Sequence, residues 1–183
     1  MSSLKPDIPH VFLHTGDAFL GVSPTIVSTV LGSCVAITMF SPKLKQGCIC
    51  HAFLPSRNEI SPDKKISLQI CRYVDTAVDY LLECMLRIGA KKNHLEVKLF
   101  GGSQGLIANR VRAPQYMAVG DRNVTMAKKC LKEKGLHPIA ADVGGNVGRK
   151  ILYATHTGDL WLKRLDRQTF DLDNKAPMPK RRK

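Results

Sequence analysis

The order of apolar runs predicts an α+β (mixed α/β) fold. Three observations carry that expectation. Short β-branched runs crowd the first third of the chain. Two stripes with helical spacing follow, one ending near residue 88 and one beginning near residue 121. Each stripe then gives way to another strand-like run.

The elements can be justified in order. Residues 10–22 and 25–31 read as short strands, with a turn at Gly21-Val22-Ser23-Pro24 between them. The run 34–40 is β-branched and apolar, and Ser41-Pro42 ends it. The run 47–55 returns after a basic turn, so the two are expected to pair antiparallel. A polar loop, 56–65, precedes the clearest helix. There Ile66, Ile70, Val74, Ala77, Leu81 and Met85 keep spacings of three and four, and Gly89 stops the pattern. A strand is expected at 95–102, running into Gly101-Gly102. Residues 103–120, with Arg110, Arg112 and Pro114, read as irregular. Asp121 is the expected N-cap of a second helix that carries Val124, Ala127 and Leu131 and ends at Gly135. The run 138–145 is a strand ending in a second double glycine, and 149–165 reads as two strands around Thr157-Gly158-Asp159.

Composition bounds the function. The chain has 183 residues, 44% of them hydrophobic and 23% charged, which fits one globular domain that needs no staple to fold. The expected division is a domain over 1–165 and a basic, disordered tail over 166–183. No apolar run is long enough to span a bilayer and the N-terminus lacks a secretory pattern, so membrane insertion is not expected and a cytoplasmic location is. The six cysteines include no CxxC pair, and reduced thiols fit that compartment. Cys48 and Cys50 are one close pair without a second, which disfavours zinc, so no metal is expected. The net charge is +13, and five of those charges sit in the last nine residues, leaving +8 on the body. With aromatics at 6% and the basic residues scattered, a nucleic-acid partner is disfavoured against a solvated basic surface.

One constellation suggests chemistry. Leu31-Gly32-Ser33-Cys34 is a glycine turn that delivers a cysteine to the mouth of a strand. Backbone N–H groups near Gly32 and Ser33 could meet a developing oxyanion there. A buried, inert cysteine is the competing reading. His51 lies 17 residues on, in the strand expected to return beside Cys34. It shares a face with Ile49, whereas Cys48 and Cys50 share the other. That argues against a metal cluster and leaves His51 free to meet a group on a neighbouring strand. A core histidine bonded to a carbonyl is the alternative. A cysteine at such a turn with a histidine in reach is expected to have a depressed pKa and fast alkylation.

Seven blocks together resemble one family. They are STVLGSCVAI at 28–37, CHAFLP at 50–55, YVDTAVDYLLECMLRIGA at 73–90, FGGSQG at 100–105, GDRNV at 120–124, ADVGGNVGRKI at 141–151 and TGDLWLKRL at 157–165. In order and spacing they resemble the CheD family, the chemoreceptor glutamine deamidases of bacterial and archaeal chemotaxis. The resemblance implies stacked mixed β-sheets with helices packed on the outside, akin to the cytotoxic necrotizing factor deamidases. It implies Cys34 as nucleophile, His51 as general base and, six residues before the cysteine, Ser28 as the hydroxyl that orients the imidazole. Adjacent strand residues point to opposite faces, so only one of Ser28 and Thr29 can reach His51, and the family spacing selects Ser28. It also implies no cofactor, receptor cytoplasmic helices as substrate, and a CheC-type phosphatase of phosphorylated CheY as partner. A non-catalytic adaptor that docks CheC and receptors, or a receptor methylesterase, are the alternative functions.

Overall fold

The computed structural model describes residues 8–57, 69–104 and 119–165. These residues form an α+β fold of two helices and nine strands. The strands are β1 (His10–Phe12), β2 (Ala18–Leu20), β3 (Ile26–Leu31), β4 (Val35–Ser41), β5 (Gln46–Ala52), β6 (Glu96–Gly101), β7 (Pro138–Val143), β8 (Gly148–Ala154) and β9 (Leu160–Leu165). The helices are α1 (Val74–Arg87) and α2 (Val119–Glu133). One sheet runs β1-β3-β8-β9 and the other β2-β5-β4-β6-β7, and each mixes parallel with antiparallel pairs.

The layers follow from strand periodicity. In the five-stranded sheet Ala36, Ile49 and Phe100 turn to one face, where they pack on Val27, Leu31, Ile151 and Tyr153 of the four-stranded sheet. Val35, Ile37, Met39, Cys48, Cys50 and Leu99 turn to the other face and meet Val74, Ala77, Val78, Leu81 and Met85 of α1 and Ala127 and Leu131 of α2. The helices therefore cover the outside of one sheet. β3 and β4 lie in different sheets, so residues 32–34 are the chain's passage between them.

The β4–β5 hairpin, the two C-terminal strands and the strands at 95–102 and 138–145 lie where the sequence puts them. Three expectations shift. The run 10–22 is not one strand. It breaks at His14–Asp17, and its halves join different sheets, β1 parallel to β3 and β2 antiparallel to β5. The break has hydrogen-bonded causes: Asp17 N–H donates to His14 O, while Gly16 N–H and Asp17 O bond the backbone of His51. The first helix begins at Val74. Tyr73 is extended and pairs with Leu54, and Ile70 lies outside the helix and half exposed. The second begins at Val119, so Asp121 sits in its first turn. Its carboxylate there accepts from Gln104 Nε2 at 3.2 Å. The 166–183 tail, Arg110, Arg112, Pro114, Ile66 and most of the 56–65 loop lie outside the described residues.

Candidate active site

His51 is placed by its ladder. It pairs with Ala36 across β4–β5 and points with Ile49 into the gap between the sheets. Cys34 lies two residues before Ala36, on the parity of the same face, and packs partly buried against that inter-sheet core. Extending the β4–β5 register one residue past Val35 sets Cys34 diagonal to His51.

The far side of the imidazole is held by the other sheet. Thr29 Oγ1 lies 2.8 Å from His51 Nδ1 and 2.8 Å from the Leu13 carbonyl oxygen. A threonine hydroxyl has one hydrogen, and Leu13 O can only accept. The hydroxyl therefore donates to Leu13, and Nδ1 must carry a proton and donate to Oγ1. The tautomer follows: Nε2 holds the lone pair. That Nε2 is buried and has no hydrogen-bond partner among the described residues. Neutral, desolvated and aimed by its other nitrogen, it is built as a proton acceptor.

This geometry corrects the reading of Ser28. Val27, Thr29 and Leu31 turn toward the five-stranded sheet, so Ser28, between them, turns away from His51. The hydroxyl on the imidazole is Thr29's.

The resting pair is electrically neutral. Burial pushes the Cys34 thiol up to about 11, with its own backbone N–H pulling the other way. Burial pushes His51 down to about 4, against a raising effect of the Leu13 carbonyl. The expected depressed cysteine pKa is not what this site provides. The thiol makes no bond to Nε2 here, and among the described residues no cation offsets the water it has lost.

The Gly32–Cys34 turn is clamped through its carbonyls. Gly32 O accepts from Ser103 N–H at 2.9 Å, Ser33 O from Asn123 Nδ2 at 2.9 Å, and Cys34 O from Gly102 N–H at 2.7 Å. Gly101 makes the close approach possible: a Cβ there would fall on the Cys34 carbonyl, and its φ of 104° suits only glycine. A second glycine loop backs the first. Gly144 N–H donates to Gly101 O, and Gln104 N–H donates to Gly145 O. Arg149, buried, holds that loop by donating to Gly144 O and Val147 O while paired with Asp142. Burial pushes the Asp142 carboxyl up, but Arg164 and Arg149 more than offset this and leave it below its ordinary value.

Asn123, the Leu13 carbonyl, Gly101–Ser103 and Arg149 were not picked out as site residues from sequence. The signal for three of them was the unassigned blocks FGGSQG, GDRNV and GGNVGRK; a main-chain carbonyl leaves no signal. Cys48 and Cys50 face α1 with Cys71, away from His51. No group of three His, Cys, Asp or Glu among the described residues is placed to hold a metal.

A family model described as CheD chemotactic sensory transduction matches residues 53–164. A protein of Maridesulfovibrio salexigens is 61% identical over 170 residues, covering 93% of this chain and all of the relative. The chain belongs to the CheD family. A second CheD relative, from Geobacter sulfurreducens, is 42% identical over 93% of this chain and 99% of its own length. A third, from Nitratidesulfovibrio vulgaris, is 35% identical over 88% and 80%. All three are named as probable chemoreceptor glutamine deamidases. The CheD family match begins just after His51, so Cys34, Thr29 and His51 lie in the part covered by the relatives alone.

Proposed function

We propose that this CheD-family chain is a chemoreceptor glutamine deamidase, an amidohydrolase with Cys34 as nucleophile and His51 as general base. The observation that carries the chemistry is the buried, unpartnered Nε2 of His51 on the face it shares with Cys34. The substrate class comes from the names of its relatives.

An amide is a poor electrophile, so the thiol must lose its proton as it attacks. His51 Nε2 takes the Cys34 proton and sulfur bonds to the glutamine Cδ, placing a negative charge on the amide oxygen. N–H groups of Ser33 and Cys34, on the turn that begins at Gly32, are the donors for that charge. The imidazolium then gives its proton to the amide nitrogen. The C–N bond breaks and ammonia leaves a thioester. His51 next takes a proton from water, whose oxygen attacks the thioester carbon. The C–S bond breaks, the thiol regains the proton, and glutamate is released. Thr29 cannot neutralise the imidazolium but keeps its Nδ1–H oriented, as the third member of a triad does.

Receptor cytoplasmic helices as substrate require a cytoplasmic enzyme, and a CheC-type phosphatase is part of the same proposal as its partner. No helix among the described residues is long and apolar enough to cross a membrane. The test is mass spectrometry of a purified receptor cytoplasmic fragment after incubation with wild type or Cys34→Ala. Conversion of a glutamine to glutamate (about one mass unit) is expected with wild type alone. Conversion that survives in Cys34→Ala would remove the cysteine mechanism.

A further inference from the structure

GDRNV writes one face of α2: Gly120, Asn123 and Val124 lie at i, i+3 and i+4. That face is pressed onto the nucleophile region. A Cβ at Gly120 would collide with the carbonyl oxygens of Ser103 and Gly102, and Val124 already fills the space beside Gly102. Asn123 is fully buried between them. Its Nδ2 donates one hydrogen to Ser33 O at 2.9 Å and the other to Phe53 O at 3.1 Å. Ser33 precedes the nucleophile, and Phe53 stands two residues after the base. One amide group thus ties the turn that carries Cys34 to the strand end that carries His51. The orientation of that amide is fixed, because turned end for end it would set an oxygen against two carbonyls. Its Oδ1 is left buried without a partner among the described residues. An unpaired interior oxygen is costly, and such a cost is retained where the opposite end of the group is needed.

The consequence reaches the oxyanion. The Ser33–Cys34 peptide is planar and trans, so its C=O and the Cys34 N–H point to opposite sides. Pinning Ser33 O to α2 therefore directs the Cys34 N–H away from α2. We propose that Asn123 is a positioning residue of the deamidation site: it locks the Ser33–Cys34 peptide so that the Cys34 N–H is preset as an oxyanion donor at a fixed separation from His51. The inference rests on the deamidase reading for its chemistry, though not for the lock itself.

Two variants test it. Asn123→Leu keeps the branched heavy-atom outline, adds the bulk of two methyl groups and removes both donors. The expected result is kcat reduced about 100-fold, the size seen when one oxyanion donor is lost, with KM within about twofold because ground-state binding is untouched. Hydrogen exchange should quicken in peptides spanning Gly32–Val35 and stay unchanged in α1. Asn123→Asp has the native shape but no donor while ionised. Burial raises a carboxyl's pKa, and protonation restores one O–H donor. Its kcat relative to wild type should therefore recover as pH falls, which a lost packing contact would not produce. Wild-type kcat in a folded Asn123→Leu that only melts earlier would overturn the proposal, as would a pH-independent deficit in Asn123→Asp. If wild type releases no ammonia from receptor glutamines, the deamidase reading fails instead, and exchange at Gly32–Val35 in the two variants still decides whether Asn123 locks the turn.

Discussion

Thr29 and Ser28 differ by one position and by the whole width of a sheet. Both carry hydroxyls and both are buried, but only Thr29 reaches His51. Thr29→Val keeps the shape and removes the hydroxyl, leaving Nδ1–H without the acceptor that fixes the ring. We expect kcat to fall about 10- to 100-fold, or ~1.4–2.7 kcal/mol of transition-state stabilisation. That is less than removal of a triad aspartate, which costs ~10⁴, because a hydroxyl carries no charge. Thr29→Ser should retain most of the activity and Ser28→Ala should leave kcat alone. A silent Thr29→Val beside a damaging Ser28→Ala would reverse the assignment. The protonation states make a second prediction at this scale. With the thiol near 11 and the imidazole near 4, the thiol–imidazole pair is neutral throughout the physiological range. Turnover then depends on neutral His51 and protonated Cys34 together, so kcat/KM should be flat from about pH 6 to 9, with its acid limb far below the ~6.5 of free histidine. Iodoacetamide labelling of Cys34 should be slow at neutral pH and still rising at pH 9. Rapid labelling at pH 6 would mean a resting thiolate–imidazolium pair and would sink this account.

Elements explain why some of this was legible in the sequence and some was not. The β4–β5 hairpin could be read because two β-branched runs flank a short polar turn, and the alternation within β5 separates His51 from Cys48 and Cys50. The parity of β3 could not be read, because residues on both of its faces are buried and hydropathy does not mark the inward one. The break at His14–Asp17 was hidden for a different reason. Its local sequence continues a strand, and the bonds that bend it go to the backbone of His51, distant in sequence. The start of α1 was overrun because the apolar spacing continues through Ile70, while the chain turns at 69–72, where Arg72 O accepts from the backbone of Phe53 and Leu54, and Tyr73 pairs with Leu54. The glycine pairs were visible, but their meaning needed the third dimension. Gly101–Gly102 and Gly144–Gly145 lie side by side at the ends of the paired strands β6 and β7, and buried Arg149 anchors the second so that the first can grip the Cys34 carbonyl. The seven blocks are separated in sequence because the site is assembled from the passage between sheets, one strand of each sheet, two glycine turns and the start of one helix.

At the scale of the whole molecule, the same desolvation that keeps His51 neutral makes the fold sensitive to acid. The folded pKa of His51, about 4, lies below the ~6.5 of an unfolded histidine. Between those values the unfolded chain binds a proton that the folded chain refuses, so stability falls as pH falls. The contribution is intact above about 6.5 and is lost as pH drops toward 4, where it amounts to about 3 kcal/mol for a shift of this size. His51 is almost fully buried, so solvent screening removes little of it. Asp142 has the same sign in a lower window. Its carboxyl is held below the ordinary value by Arg164 and Arg149, and protonating it would leave buried Arg149 without its countercharge. The net charge adds to both, since a chain at +13 becomes more positive as its carboxylates and histidines take up protons, and self-repulsion favours expansion. Thermal unfolding followed by circular dichroism across pH 4 to 8 separates these contributions. Wild type should hold its Tm from pH 8 to about 6.5 and then lose it steadily toward pH 4. His51→Gln, which cannot charge, should start from a lower Tm at pH 7 because Leu13, Thr29 and the inter-sheet gap are disturbed, yet should decline less between pH 6.5 and 4. If the two proteins lose Tm in parallel over that interval, His51 does not titrate as a buried neutral base, and the acid sensitivity must be ascribed to Asp142 and the general charge.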